Sequence, residues 1–505
     1  MSRKDPWPRL RRALLYKPSR HVYNSKKRLT AEALTRVFQR MKGLAYDPID
    51  ARQDMFSVSQ VCKSWREVSI NHREKIWGSL PIDLDTDSEE FIQELLRWSS
   101  SSPLSIYSGI PIDSDDSPRY NRWLLVLEEF HRFESLSFVD DITNYDFQTY
   151  LEMAAPLLRS FEAKITEPPI PCFRNILSQE LFGGNAPNLR HVNLTGYTLA
   201  SNSFLGLNLT TLFVNVKACP PSIDEWVEIL WSQQNLVSLT IKHALCLEND
   251  NPASSLPPVK LPLLQELCIM YCRSIDCGLL LNRLSTPSLC KLELCLASHN
   301  DAEREEEETC LHANLKWFVG CSTNKFISSC KLVDVSMGYD TETSGPLKIL
   351  SFTAFPEESL SDSQDAVFKL SYLTQSTSED DFDLELSHLF QTLKAIDILA
   401  ETTAIRLKPL PQSTPFSDPL LELLLMFKPG QLRSIEFYDP TQFAMLTYVR
   451  PSRYSQKLLL ECENIHVNQS CNDLDLEGNC IEELSEILQY RKDRFGVKTS
   501  SIIYY

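Results

Sequence analysis

Near its start, the chain places apolar side chains at helical spacing. From Leu34 to Met41 they fall at i, i+3, i+4 and i+7, which predicts one apolar stripe along an α-helix. A second stripe runs from Val58 to Val68, and Ser57, with a Gln three residues later, has the form of a capping box at its start. Two helices this short are expected to leave an apolar face uncovered. Either the rest of the chain or a second protein would then cover it.

Beyond about residue 155 the pattern changes to Leu-x-x-apolar-x-apolar, which recurs at intervals of roughly 20 to 30 residues. The phrase predicts short buried strands, and amphipathic helical segments lie between several of them. Strand–helix units of this length bury their faces only by stacking. The pattern therefore predicts an α/β fold that forms an irregular leucine-rich-repeat-like solenoid, with a compact α/β domain as the alternative. The phrase begins at Leu158, Leu189, Leu209, Leu236, Leu264, Leu289, Leu432 and Cys471.

Composition adds a compartment to this picture. The chain has 505 residues, of which 43% are hydrophobic and 23% charged, as expected for a soluble protein with more than one ordinary core. No apolar run approaches the roughly 18 residues of a membrane span, so no membrane association is expected. The start lacks the apolar segment of a secretory signal, and the 15 cysteines therefore predict reduced thiols in the cytoplasm or the nucleus.

The charge is distributed unevenly. Residues 1–27 contain nine Lys or Arg residues against one Asp, a net charge of +8, whereas the whole chain has a formal net charge of −17. We expect this basic arm to be disordered and solvated. A nuclear-import signal, a weak nucleic-acid contact and a mitochondrial transit peptide are the alternatives. The acidic remainder argues against nucleic acid as the main partner.

Motifs for catalysis and metal binding do not occur at convincing spacing. The sequence has no Gly-Lys dipeptide for a phosphate-binding loop, no G-x-S-x-G and no H-E-x-x-H, and it contains only 14 glycines. The segment Asp83–Glu94 imitates a calcium-binding loop, but Ser88 stands where the sharp turn needs Gly, and an N-cap before a helix from Glu89 to Trp98 explains it better. The cysteines between Cys268 and Cys277 lack the paired spacing of a zinc site. We therefore expect neither an enzyme nor a bound cofactor or metal.

The N-terminal helices also carry a recognisable order of residue types. The sequence reads L-x-x-E-x-L-x-x-V-F from Leu29 to Phe38, then V-C-x-x-W-R from Val61, then Trp77. This order resembles an F-box, although Thr30 stands where the family usually has Pro. Helix–strand units follow the motif, and in this the chain looks like the large fungal F-box families with irregular leucine-rich repeats.

The resemblance implies a substrate-receptor subunit of an SCF-type ubiquitin ligase. In such a receptor the F-box helices bind a Skp-family adaptor and, through it, a cullin, while the repeats hold a protein substrate. The alternative is a scaffold protein whose N-terminal helices cap the repeat array and recruit no ligase. The residues expected to bind the adaptor are Leu29, Leu34, Val37, Phe38, Val61, Cys62, Trp65 and Trp77.

These interpretations give a domain scheme. Residues 1–28 are the basic arm, 29–80 the F-box, 81–150 helix–strand units that lead into the repeats, and 151–505 the solenoid. The acidic run 301–309 is predicted to be a solvated insertion loop, and binding of a basic substrate segment is its alternative role.

Overall fold

The fold is taken from a computed structural model, and only part of the chain is described. The basic arm, Leu29 and the phrase at Cys471 lie outside that part. The described residues are 30–42, 48–77, 80–111, 118–140, 149–165, 177, 180–197, 207–216, 220–246, 258–297, 304–321, 330–339, 348–356, 366–374, 389–394, 396, 398–408, 423, 427, 431–437, 464–467, 489, 493 and 501–504.

Two compact units make up the described chain. The N-terminal unit contains the described residues up to Asp83 together with Asp87–Ser105. The C-terminal unit contains Leu84–Thr86 and the described residues from Ile106 onward. The N-terminal unit therefore includes a helix and strand residues that the domain scheme assigned to the region after the F-box.

Short helices dominate the N-terminal unit. Its last strand begins at Leu104 in this unit and ends at Tyr107 in the C-terminal unit. The elements in order are α1 (Ala31–Lys42), α2 (Pro48–Ser59), α3 (Lys63–Asn71), α4 (Arg73–Ile76), β1 (Pro81–Asp83), α5 (Glu89–Ser99) and β2 (Leu104–Tyr107).

The second predicted helix is divided in the structure. Helix α2 begins at Pro48, ten residues before the second predicted stripe, and the chain turns between Gln60 and Cys62 before α3. Pro is tolerated at the first helical position because the N–H it lacks would have no helical acceptor there. Ser57 is not a cap, since its hydroxyl donates to the Gln53 carbonyl inside α2 at 2.9 Å. The apolar spacing continues through the turn, and for this reason it does not reveal the break.

The C-terminal unit is a mixed α/β structure with a mostly parallel sheet, so the predicted α/β class is confirmed. Its helices are α6 (Pro118–Leu127), α7 (Ile223–Trp231), α8 (Ser274–Asn282) and α9 (Arg304–Cys321). Its strands are β3 (Phe133–Asp140), β4 (Ser160–Ile165), β5 (His191–Thr195), β6 (Thr211–Asn215), β7 (Ser238–Lys242), β8 (Val259–Lys260), β9 (Glu266–Cys272), β10 (Leu284–Ser285), β11 (Lys291–Ala297), β12 (Leu332–Tyr339), β13 (Lys348–Phe355), β14 (Phe368–Thr374), β15 (Ala404–Leu407), β16 (Ser434–Phe437), β17 (Asn464–Val467) and β18 (Ser501–Tyr504).

Strands β3 to β7 pair in parallel in chain order, followed by β9 and β11. The order then runs β14, β13, β12, β15, β16, β17 and β18, and β13 is antiparallel to both of its neighbours. Strands β8 and β10 form a separate parallel pair. The antiparallel strand β13, between β14 and β12, therefore interrupts an otherwise parallel order.

The repeated phrase determines how the parallel strands align. Its first leucine is buried just before each strand, and its two apolar positions lie in register with those of the next strand, as Leu212 does with Leu239. Alternate residues of a strand point to opposite faces, so these positions form continuous buried rows. The first such row contains Phe161, Val192, Leu212, Leu239, Leu267, Leu292 and Phe368.

One predicted loop is helical. Residues 304–309 of the acidic run form the start of α9, so the prediction of an insertion loop is wrong for this part. Glu is a good helix former, and negative side chains near a helix N-terminus interact favourably with the helix dipole. Residues 301–303 lie outside the described part of the chain.

Candidate functional site

The predicted adaptor-binding residues divide into buried and exposed groups in the N-terminal unit. Leu34 and Phe38 are each 1% exposed, and Trp77 is also buried. They form a small core that closes over the apolar stripe of α1. The other buried members of this core are Met55, Val68, Ile76 and Leu80. The apolar stripe of α1 is therefore covered at Leu34 and Phe38 by other parts of the same chain, which is the first of the two alternatives expected for it.

Aromatic contacts hold this core together. The Trp65 ring is half-buried and meets the Phe38 ring edge-on, with centroids 5.6 Å apart. Trp77 packs against Phe56 at 5.0 Å, and its indole N–H donates to the Ser69 carbonyl at 3.1 Å. A buried indole usually donates its polar N–H to an acceptor. Trp65 and Trp77 therefore stabilise the unit itself.

The remaining predicted residues lie on the surface. Val37 is 39% exposed, Val61 is 62% exposed and Cys62 is also exposed. Val37 directly precedes the buried Phe38 in α1, and Val61 lies in the turn before α3. Ile70 on α3 is 57% exposed and was not predicted, because it falls outside the apolar stripe. An isolated apolar residue on a polar helix face was the available signal for it.

The segment Asp83–Glu94, which imitates a calcium-binding loop in sequence, uses its side chains for hydrogen bonds within the segment. The Ser88 hydroxyl accepts from the Phe91 N–H at 3.3 Å and caps α5, which confirms the helix predicted there. The Asp87 carboxylate accepts from the Asp83 N–H at 2.9 Å. Within the described part of the chain, no three His, Cys, Asp or Glu side chains are grouped as a metal would require.

Several cysteine thiols of the C-terminal unit are held in the protonated state. Burial raises the pKa of Cys268 to about 12, and the nearby Glu293 carboxylate adds to the effect. Burial also raises the pKa of Cys330 to about 12. A hydrogen bond with Cys277, together with burial, raises the pKa of Cys272 well above its usual value. Because the thiolate is the nucleophilic form, these environments suppress thiol chemistry.

One His–hydroxyl contact escaped the sequence analysis because its partners are far apart in the chain. His312 Nε2 lies 2.6 Å from Thr392 Oγ1, and the Tyr372 hydroxyl lies 3.2 Å from the same oxygen. This is the distance between a nucleophile and its base. Thr392 is fully buried, however, and a substrate cannot reach its hydroxyl. The contact is therefore a structural hydrogen-bond network.

No protein-family model matches the chain, and no curated protein matches it. None of the helices in the described part of the structure is long and apolar enough to span a membrane. The geometry of the two units therefore carries the functional interpretation.

Proposed function

We propose that the protein is a substrate-receptor subunit of an SCF-type ubiquitin ligase that acts in the cytoplasm or the nucleus. In this proposal the N-terminal unit is an F-box that binds a Skp-family adaptor. The sheet of the C-terminal unit is an irregular leucine-rich-repeat-like array that holds a protein substrate. The F-box order of residues and the exposed valines of the N-terminal unit support the first part.

The exposure of Val37 and Val61 is the observation that carries the proposal. The N-terminal unit buries Leu34 and Phe38 in its own core, yet it leaves these two motif valines in contact with solvent. Burying apolar surface against a partner is favourable by about 25 cal/mol for each Å² removed from water. We therefore revise the adaptor surface to the exposed Val37 of α1 and to Val61 and Cys62 in the turn before α3, and we add the exposed Ile70 of α3.

The sequential parallel strands support the second part. The copies of the repeated phrase from Leu158 to Leu264 present the same buried rows to their neighbours, as stacked repeats require. A receptor of this kind contributes proximity: tethering a substrate raises its effective concentration near the transfer machinery. The function needs no catalytic side chain.

The test is copurification with a Skp-type adaptor. The double variant Val37→Asp/Val61→Asp should lose at least tenfold of the adaptor signal, because an unpartnered charge would be buried at the interface. Because both positions are exposed, the free energy of unfolding should change by no more than about 0.5 kcal/mol.

Gln39→Asp is the matched control, because it places the same charge on an exposed position of the same helix. It should retain the adaptor. Failure of the wild-type chain to bind adaptor and cullin, or full retention by the double variant, would contradict the proposal. If the double variant instead melted at a much lower temperature, the scaffold alternative with capping helices would be favoured.

A further inference from the structure

The face of the sheet opposite the buried rows carries a carboxylate that neighbouring strands hold in place. Glu162 of β4 lies in register between Ser137 of β3 and Asn193 of β5. Ser137 Oγ donates to one carboxylate oxygen at 3.1 Å, and Asn193 Nδ2 donates to the other at 3.1 Å. Each oxygen of an ionised carboxylate has two acceptor sites. The Glu162 carboxylate is thus oriented by its own sheet and keeps a free acceptor site on both oxygens.

Two other carboxylates in the same row of the sheet have cationic partners. Glu293 accepts from Lys369 at 2.8 Å, and Asp334 forms an ion pair with Arg406 at 2.6 Å. Glu162 differs, because its hydrogen-bond partners are both neutral and no cationic side chain of the described residues lies within 4.0 Å of it. This carboxylate is oriented by its neighbours but is not neutralised.

The row is open to solvent at the Glu162 end and closed at the other. Glu162 is exposed, whereas Asp334 and Arg406 are each only 3% exposed. The half-buried Phe213 ring of β6 lies on the same face, two strands from Glu162. At the usual spacing of strands this is a separation of roughly 10 Å. The Lys242 ammonium lies 5.7 Å from the centre of that ring. A partner can therefore reach an acidic and an aromatic side chain together at this end.

We propose that Glu162 anchors an arginine side chain of a protein segment bound on this face. The parallel N–H groups of a guanidinium match the two oriented oxygens of a carboxylate. Removing the +8 arm from the total of −17 leaves −25 for the remaining chain, and this charge attracts a basic partner. Lys164, two residues away on the same face, and Lys242 at the Phe213 ring weaken the local field, so the selection depends on direct contact. This inference rests on the proposed function, because the bound segment would belong to the substrate.

The test uses the full chain and an array of immobilised Gly-Ser-Phe decapeptides that carry Arg, Gln or Glu at one position. We expect the wild-type protein to prefer the Arg peptides over the Gln peptides by roughly 1.4- to fivefold, the range of one exposed ion pair. Glu162→Gln should lose that preference, and Glu162→Arg should shift it to the Glu peptides. Lys164→Gln is the matched control and should retain the preference for Arg.

Equal binding of Arg and Gln peptides by the wild-type chain would overturn the inference, as would an unchanged preference in Glu162→Gln. Near-ultraviolet circular dichroism should be the same for all variants, because Glu162 is exposed. Adaptor copurification should also be unchanged in all of them. A wild-type chain that prefers Arg peptides but does not bind the adaptor would refute the proposed ligase role alone. A wild-type chain that binds the adaptor but shows no preference for Arg peptides would refute only the Glu162 anchor.

Discussion

At the scale of single residues, His312 shows how the fold changes the chemistry of a side chain. Burial lowers the pKa of His312 from its ordinary value, because the charged ring loses solvation. The ring contacts the buried Thr392 hydroxyl, which also contacts Tyr372. The folded state therefore binds a proton at His312 less readily than the unfolded chain does.

This difference predicts a pH-dependent stability. A histidine of lowered pKa contributes its full stability above the unfolded-state pKa of about 6.5, and the contribution is lost as the pH falls below that value. Since the ring is only partly buried, we expect a loss of a few tenths of a kcal/mol between pH 7.5 and 5.5. Urea unfolding at both pH values measures it. His312→Gln should show a smaller loss than wild type, and an unchanged loss in this variant would contradict the assignment.

At the scale of elements, a buried ion pair joins two neighbouring parallel strands. Asp334 of β12 and Arg406 of β15 are in register, 2.6 Å apart, and only 4% of each side chain is exposed. Lys408 Nζ lies 3.1 Å from the second Asp334 oxygen, and the Arg406 guanidinium lies over the Phe355 ring. Because two charges lose their hydration here, the pair fixes register more than it adds net stability.

This interpretation predicts opposite results for single and double substitutions. Arg406→Met should lower the free energy of unfolding by about 3 kcal/mol, because it leaves Asp334 buried with only the partly exposed Lys408 as a counter-charge. Arg406→Met combined with Asp334→Leu should recover to within about 1 kcal/mol of wild type. Guanidinium unfolding of the three proteins gives these values. A double variant as unstable as the single one would show that the pair itself stabilises the fold.

At the scale of the whole molecule, each compact unit has a hydrophobic core of its own. The N-terminal core centres on Phe38, and the C-terminal core includes Leu212, which is fully buried between neighbouring strands. A chain built from two such units need not unfold in a single step.

The two cores can therefore be disturbed separately. Phe38→Ala should cost about 3–5 kcal/mol and Leu212→Ala about 2–5 kcal/mol, each within its own unit. Hydrogen exchange with mass spectrometry should show faster exchange in 30–77 for the first variant and in β5 to β7 for the second. Faster exchange across both units from either substitution would contradict independent cores. Thr211→Ala, at a half-buried position beside Leu212, is the control and should change little.

The sequence by itself determined several of the strands, those that begin with the repeated phrase, and which of their residues form the core. The phrase at Leu236 places Leu239 and Ile241 on one face of β7, because side-chain alternation in a strand is local. The apolar stripe at Leu34 determined α1 in the same way. What the sequence could not supply was the insertion of the antiparallel β13, which depends on pairing between distant segments.

Only the tertiary structure decided which motif residues face solvent. Phe38 and Val37 are adjacent in α1, yet one is buried and the other is exposed. Helical spacing gives a residue's direction on its own helix, whereas burial depends on what packs opposite it, here Trp65 of α3. The orientation of Glu162 depends likewise on donors from two other strands. The periodicity of apolar residues can be read from neighbouring residues. The residues that cover each face of a helix or strand lie far away in the sequence, so only the tertiary structure identifies them.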